Sequence, residues 1–564
     1  MPRPPVRIIL TGFSGSGKSA VAPLVAQRLG WENLDTDALV EKAAGRSIPD
    51  IFRDDGEVRF RQMEAAALED ACSRQHTVIA VGGGAVLSSQ NRRRMAQDGF
   101  IVCLEVAPET ALERLRRGQN EAQSVRPLLA GPDPLARIRE LKAARQPLYT
   151  LCDWTVHTDG LTPDEVADEV VRAYERFGES ALSRPGRLEA IAGATADAPN
   201  LVEGASCLVR TATSAYPVIV EWGALTDLGR RLRQMGLAQQ AYVITDQDVF
   251  RHLGDALTET LSHADVPCHT YAVRPGEASK SLATASRLYD WLVDLRAERG
   301  HTVVAVGGGV VTDLGGFVAA TFARGLPLVH VPTSLLGMVD AAIGGKVAVN
   351  HPQAKNMIGA FYQPHLVLAD VATLRTLPPR ELRSGWAEVI KHAFIADEAY
   401  LRSLEQNAQR IQELDPQTTT DAIRRSVRIK AQVVSLDERE ESGLRTILNF
   451  GHTVAHAIET ATDYARYLHG EAVAIGMVAA AEISVRLGLL APEDAHRLRH
   501  ILQQFGLPSR AEGVHRERIV AAMALDKKVR AQSLRWVLLE GVGRPVLRDD
   551  VAQGIVETAL AEVL

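Results

Sequence analysis

Cysteine is scarce: Cys72, Cys103, Cys152, Cys207 and Cys268 are the only five in 564 residues, and no two of them form a CxxC pair. So sparse and odd a set excludes a disulfide framework and a thiolate metal site. There is no strong excess of charge of either sign. A formal net charge of -6 gives no bulk attraction to nucleic acid or acidic membranes. No apolar run is long enough to cross a bilayer, the longest uncharged one being Ala472 to Ala481. Met1 to Pro5 carries proline and arginine and leads straight into a strand, so no signal peptide is expected and a reducing cytoplasm is the expected home. Aromatic residues make up only 5%, but 46% hydrophobic and 23% charged residues exclude a disordered or fibrous chain. What remains is an ordinary globular α/β protein, too long for one core, with two to four domains expected. Its expected partners are small molecules.

Val6 to Leu10 reads as a strand, and Val78 to Val81 and Ile101 to Val106 repeat the pattern between helical, charge-laced segments. Such alternation predicts a parallel sheet covered on both faces. The pattern fades after Phe177, and residues 178–203, rich in Ala, Gly, Ser and Pro, read as a linker. Strands resume at Cys207–Arg210, Tyr216–Val220, Ala241–Thr245, Val303–Val306 and Leu328–Val331. From Glu381 onward nearly everything reads helical. The expected organisation is therefore an α/β domain over 1–177, a linker over 178–203, an α/β subdomain over 204–380 and an all-α subdomain over 381–564. A cleft between the last two is a natural place for a ligand.

Residues Gly12-Phe13-Ser14-Gly15-Ser16-Gly17-Lys18-Ser19 satisfy the pattern GxxxxGK[ST] between a strand and a helix. Glycines let the loop wrap so that its N–H groups, helped by the helix N-terminus, point at phosphate oxygens. Lys18 meets the β- and γ-phosphates and Ser19 ligates Mg²⁺. A three-layer P-loop kinase domain binding ATP with Mg²⁺ is expected. Its nucleotide contacts come from Gly12, Ser14, Gly15, Ser16, Gly17, Lys18 and Ser19.

Asp35-Thr36-Asp37, then Phe60-Arg61 with Glu64, Gly82-Gly83-Gly84, Arg126-Pro127-Leu128-Leu129 and Arg145 before Tyr149 follow in order. Taken singly, Asp35 would be a helix cap, Phe60 core packing and Arg61 a solvated side chain. In this order the set resembles shikimate kinase over residues from about 6 to 175. The resemblance implies that Asp37, Arg61 and Arg145 bind the acceptor, with Gly82, Gly83 and Gly84 at its ring. Both arginines would pair with its carboxylate. Asp37 would accept or orient the attacking hydroxyl proton and Asp35 would lie nearer the Mg²⁺. Arg126, on the lid, would neutralise charge on the transferred phosphoryl group. The lid segment from Arg116 to Val125 is longer than the family's, which leaves open whether Arg116 or Arg117 is its second arginine.

In the second half, Asn449 to His456 (NFGHTVAH) sets His452 and His456 four residues apart on one helical face. Tyr467 to Glu471 adds His469, and Gly385 to His392 (GWAEVIKH) adds Glu388 with Lys391 and His392. Two imidazoles and a carboxylate with an open position make catalytic zinc chemistry. Spacing alone favours His456 as the partner of His452.

The blocks PGE with Lys280, VGGGVVTDLGGF, VPTSLLGMVDAAIGGKVAVN, AKNMIGAFYQP, AEVIKH, NFGHTVAHAIE, LHGEAVAIGM and Asp526-Lys527-Lys528 occur in sequence order. Together they resemble 3-dehydroquinate synthase over 205–564. The resemblance implies Glu388, His452 and His469 as ligands of Zn²⁺, with Co²⁺ the alternative, and puts His456 near the substrate. It implies NAD⁺ held by Glu277, Lys280, Gly307, Gly308, Gly309, Asp313, Thr333, Ser334 and Thr376. It implies substrate contacts from Arg324, Asp340, Lys346, Lys355, Asn356, Lys391, Lys430, Arg445, Asn449 and one of Lys527 and Lys528. Lys346, Lys391, Arg445 and His456 count as catalytic, as do Lys18, Asp37 and Arg126 in the first half. A substrate with a carboxylate and a phosphate explains the basic set.

The expectation is thus a bifunctional enzyme of aromatic amino-acid biosynthesis, dimeric through its synthase half by family analogy. Two other readings compete with it: a different P-loop kinase joined to a metal-dependent polyol dehydrogenase, and a nucleotide-binding regulator whose kinase half no longer catalyses. A neutral polyol would not need Lys346, Lys355, Lys391 and Arg445.

Overall fold

Strands whose residues are buried on both faces need helices above and below them, and both units of the chain are built that way. The computed structural model describes residues 5–122, 133–183, 187–192, 205–211, 214–441, 443–529 and 534–564. It divides into the units Met1–Gly204 and Ala205–Leu564. In the first, β1 (Arg7–Thr11), β2 (Glu32–Asp35), β3 (Thr77–Ala80), β4 (Gly99–Glu105) and β5 (Trp154–His157) form one parallel sheet. Their order is β2-β3-β1-β4-β5. Strands β1, β3 and β4 are the ones the apolar runs predict. The outer strands β2, with the polar sequence ENLD, and β5 escape that reading because edge strands are short and only half apolar.

The linker expected over 178–203 is corrected by the structure as far as Ala192, residues 184–186 and 193–203 lying outside the described residues. The helix Pro163–Ser183 runs on past the boundary expected at 177, and a further helix, Arg187–Ala192, packs on the helix Ser89–Asp98. Arg187 anchors it. Its buried guanidinium ion-pairs with the fully buried Asp153 and donates to the carbonyls of Ala96 and Gly99. Alanine-rich composition hid a docked helix held by this ion pair together with Ile191, fully buried in the core of the unit.

In the second unit β6 (Cys207–Arg210), β7 (Ala215–Glu221), β8 (Ala241–Asp246), β9 (Cys268–Val273), β10 (Thr302–Gly307), β11 (Leu328–Pro332) and β14 (Leu366–Asp370) form a seven-stranded sheet. Their order is β6-β7-β14-β11-β10-β8-β9. All pair in parallel except β6 with β7. Between β11 and β14 a hairpin of β12 (Lys346–His351) and β13 (Ala354–Phe361) lies against the helix Gly309–Thr321. Strands β9 and β14 and this hairpin were not anticipated. From Pro379 the chain is helical, as expected, apart from a hairpin of β15 (Trp536–Leu539) and β16 (Pro545–Arg548). The stretch Ala472–Ala481 forms the middle of the helix His469–Arg486 and is buried throughout. No helix among the described residues is long and apolar enough to cross a membrane.

Replacing Arg187 by alanine removes one partner of a buried ion pair, the guanidinium that meets Asp153. It is expected to destabilise the first unit by about 3–5 kcal/mol. Urea unfolding followed by near-UV circular dichroism measures this, and an undocked linker would give no change.

Candidate active sites

In the first unit, β1 delivers the chain into the loop Gly12 to Gly17, where Gly12, Gly15 and Gly17 have φ of 137°, 83° and 94°. A Cβ at Gly12 would collide with the Leu104 carbonyl, so only glycine lets the loop lie against β4. Lys18 opens the following helix and donates to the carbonyls of Gly12 (2.8 Å) and Phe13 (3.1 Å). Burial lowers its pKa, partly offset by the Asp37 carboxylate. Asp35 divides its two oxygens. Oδ1 caps the helix Thr36–Ala44 by accepting from the N–H of Asp37 at 2.9 Å, while Oδ2 accepts from Ser19 Oγ at 2.7 Å. The cap and metal readings of Asp35 are therefore compatible.

Facing this loop, Gly82 to Gly84 follow β3. A Cβ at Gly82 would come within 2.7 Å of both Asp37 Oδ1 and Glu64 Oε1, and one at Gly84 would collide with the Arg61 guanidinium. Gly83 lies beside Ser14 and accepts from Tyr149 Oη at 2.6 Å. Arg61 donates to Glu64 at 2.8 Å and to Glu57 at 3.1 Å. Arg145 acts electrostatically on Glu64 and Tyr149. Asp37, Arg61, Arg145 and the glycine triplet thus gather on the side of the phosphate loop that Gly83 faces. Burial, reinforced by Asp35, pushes the Asp37 carboxyl up to about 6. Motif reading missed Arg114, which ties the loop down by donating to Thr158 Oγ1 at 2.8 Å and to Gly15 O at 3.5 Å. Arg126 lies outside the described residues. Arg116 and Arg117 are exposed on the helix Pro108–Ala122, Arg117 pairing with Glu113.

In the second unit, three helices cross at glycines. A Cβ at Gly470 would overlap the carbonyl oxygen of Ser384, and one at Gly476 would overlap that of Gly451. Bare backbone at these crossings brings the helices Pro379–Ala396, His452–Ala461 and His469–Arg486 into close approach. Each contributes one side chain to a cluster: ligand atoms of Glu388, His452 and His469 lie within 4.8 Å of one another. His452 Nε2 is 3.7 Å and His469 Nε2 3.8 Å from Glu388 Oε1. Glu388 has no exposed surface. It ion-pairs with Lys391, yet neither oxygen accepts a well-directed hydrogen bond from a described residue. Burial depresses the pKa of His452 well below 6.5, leaving the neutral imidazole a metal requires. The residues present fit a divalent ion. His456, the partner that helix spacing favours, stands edge-on to His452 at 5.4 Å between ring centroids and is not among the three.

Around this cluster, Lys430 is ion-paired with Asp340 and donates to its carbonyl at 2.7 Å. Burial alone would raise the Asp340 carboxyl, but the Lys430 and Lys391 ammonium groups outweigh it and hold it below the usual carboxylate range. Arg445, at the start of the turn Arg445–Asn449, donates to Glu438 O at 2.6 Å and to Gly344 O at 3.4 Å. Lys346 reaches Glu440 at 2.6 Å, and Lys355 sits 4.0 Å above the Tyr464 ring. The Lys527 side chain lies outside the described residues.

At the carboxyl ends of β10 and β11, Gly307 to Gly309 open the helix Gly309–Thr321 beside Thr333 and Ser334. That is where open α/β sheets bind ligands, with helix N–H groups facing the anion. Lys280 pairs with Asp313 and also donates to Asn356, while Glu277 accepts from Asn350 at 2.7 Å. Asn356, expected on the substrate, is thus drawn to the dinucleotide group through the hairpin. Burial pushes the Asp313 carboxyl up to about 6 despite Lys280. Thr376 spends its hydroxyl on Thr373 O at 2.8 Å. Arg324 does not join the group: it is exposed ahead of the first residue of β11, whereas Thr333 follows the last.

Against known proteins, the family model for shikimate kinase matches residues 14–175. The models for the 3-dehydroquinate synthase N-terminal and C-terminal parts match 270–384 and 385–529. A 3-dehydroquinate synthase from Rippkaea orientalis is 41% identical over 355 residues, covering 62% of this chain and 97% of that protein. One from Pelotomaculum thermopropionicum is 45% identical over 340 residues, covering 60% and 91%. The solved structure of 2-epi-5-epi-valiolone synthase from Streptomyces hygroscopicus, with NAD⁺ and Zn²⁺ bound, is 30% identical at a TM-score of 0.58 and covers 62% of this chain and 97% of its own. A 2-deoxy-scyllo-inosose synthase complexed with carbaglucose-6-phosphate, NAD⁺ and Co²⁺ is 28% identical with the same TM-score and covers 63% and 99%.

Two measurements check the geometry. Gly470→Ala forces the helices apart and is expected to cost about 1–3 kcal/mol, with loss of metal-induced stabilisation in thermal melts. With its carboxyl near 6 in place of 3.8, Asp37 is mostly ionised only above that pH. The pH profile of kcat/KM for phosphoryl transfer is expected to fall about tenfold per unit below it.

Proposed function

The chain belongs to the 3-dehydroquinate synthase family and carries a shikimate kinase domain ahead of it, and we propose that the residues assembled above divide the two reactions between its units. The first unit transfers a phosphoryl group from ATP to shikimate. Lys18 and the N–H groups of the loop hold the phosphates, and Ser19 with Asp35 holds Mg²⁺. Asp37 accepts the hydroxyl proton while Arg61 and Arg145 hold the carboxylate. The glycine triplet supports these roles, since its bare backbone lets Asp37 and Arg61 close in beside the phosphate loop.

The second unit converts 3-deoxy-arabino-heptulosonate 7-phosphate to 3-dehydroquinate plus phosphate. Glu388, His452 and His469 would hold Zn²⁺ or Co²⁺, and Gly307 to Gly309, Asp313, Lys280, Glu277, Thr333 and Ser334 would hold NAD⁺. When bound, the ion supplies Lewis acidity at the substrate hydroxyl and the dinucleotide a transient hydride acceptor. The chain supplies the rest: Lys391, Lys430 and Arg445 orient the anionic substrate and His456 moves protons beside it. The single observation that carries the reading is the convergence of Glu388, His452 and His469 from three helices next to buried Lys391 and Lys430. Arg324 stands at the far end of β11 and would serve a site only if a second copy of the chain received it. The reading therefore includes a homodimer.

Complementation of two auxotrophs, one per activity, tests the assignment. Lys18→Ala is expected to abolish only the kinase and His452→Ala only the synthase. Phosphate release from the sugar-phosphate acid should proceed without net NADH, whereas stoichiometric NADH from a polyol would favour a dehydrogenase.

A further inference from the structure

The two imidazoles of the metal cluster are fixed in different ways. His452 Nδ1 lies 3.3 Å from the carbonyl of Phe450, two residues before it in its own chain segment. His469 is the first residue of its helix and has no such support. Its Nδ1 meets a carboxylate, Glu459 Oε1, at 3.1 Å on the facing helix. Glu459 stands seven residues after His452 and three after His456, so the helix His452–Ala461 presents all three on one face. Its side chain is 13% exposed, and the other charged or titratable groups facing it are His456 and Lys355.

We infer that Glu459 is a positioning residue for the metal site: by accepting from His469 Nδ1 it fixes the tautomer that turns Nε2 toward Glu388, and its charge makes that imidazole a stronger donor. The inference rests on the proposed metal site and adds to it a residue that no ligand-spacing pattern identifies. Two effects are separable because glutamine keeps the acceptor and loses the charge, whereas leucine loses both. A carboxylate behind a ligating histidine typically accounts for 10- to 100-fold in metal affinity.

The test uses the full chain stripped of metal, with the Kd for Zn²⁺ read by competition with a chromophoric chelator and the ligand field by the visible spectrum of the Co²⁺ form. Glu459→Gln is expected to weaken binding about tenfold and Glu459→Leu about a hundredfold, both with altered Co²⁺ spectra and unchanged melting of the metal-free protein. Glu459→Asp should recover part of the affinity, and it carries the test should the leucine variant fold poorly. Wild-type affinity and spectrum in Glu459→Gln and Glu459→Leu overturn the inference alone. Failure of the unaltered chain to take up either ion overturns the metal-site reading beneath it.

Discussion

A carboxylate without exposed surface has to be met by positive charge, and the helical part of the second unit is arranged around that demand at Glu388. Lys391 answers it from the next turn of the same helix, and two imidazoles face it from neighbouring helices. Bringing three helices that close requires crossings without side chains, which Gly470, Gly476 and Gly451 provide. The same demand recurs one step out, where buried Lys430 is matched by Asp340. Charges here are stacked in alternation, so no member can be removed without exposing the next to an apolar interior.

The first unit meets its anions differently. At its phosphate loop it sets one buried cation, Lys18, among backbone N–H groups, with glycines in left-handed conformations at Gly12, Gly15 and Gly17. The turn at Gly307 to Gly309 repeats that economy in the second unit, at the mouth of a helix beside β11. Phosphate-bearing cofactors are thus expected on main chain, while the metal and the acidic substrate are met by side chains. That contrast follows from hydration: an N–H dipole needs no counter-charge when the ligand leaves, and a buried lysine does.

Most central strands were legible from composition because burial on both faces forces unbroken apolar runs, although β14, central and buried throughout, went unread. The outer strands β2, β5 and β9 were not, since an edge tolerates polar residues and β2 is mostly exposed. The phosphate loop was readable outright, its pattern being local in sequence. The metal cluster was not: helix spacing pointed to His456, and only family resemblance pointed to His469, which arrives from another helix. Glu459 had a faint signal, its seven-residue spacing from His452, but periodicity cannot say which side of a helix is occupied by what. Nor can sequence show that Asn356 leans on Lys280 or that Arg324 stands beyond the wrong end of a strand.

The docked segment Arg187–Ala192 bears on how such a fusion can be taken apart. A kinase fragment ending at Phe177 would take the Arg187 guanidinium away from Asp153 and from the carbonyl of Gly99, at the first residue of β4. One ending at Ala192 keeps both. Exchanging the enzyme behind this kinase for another therefore means carrying one guanidinium along with the front half.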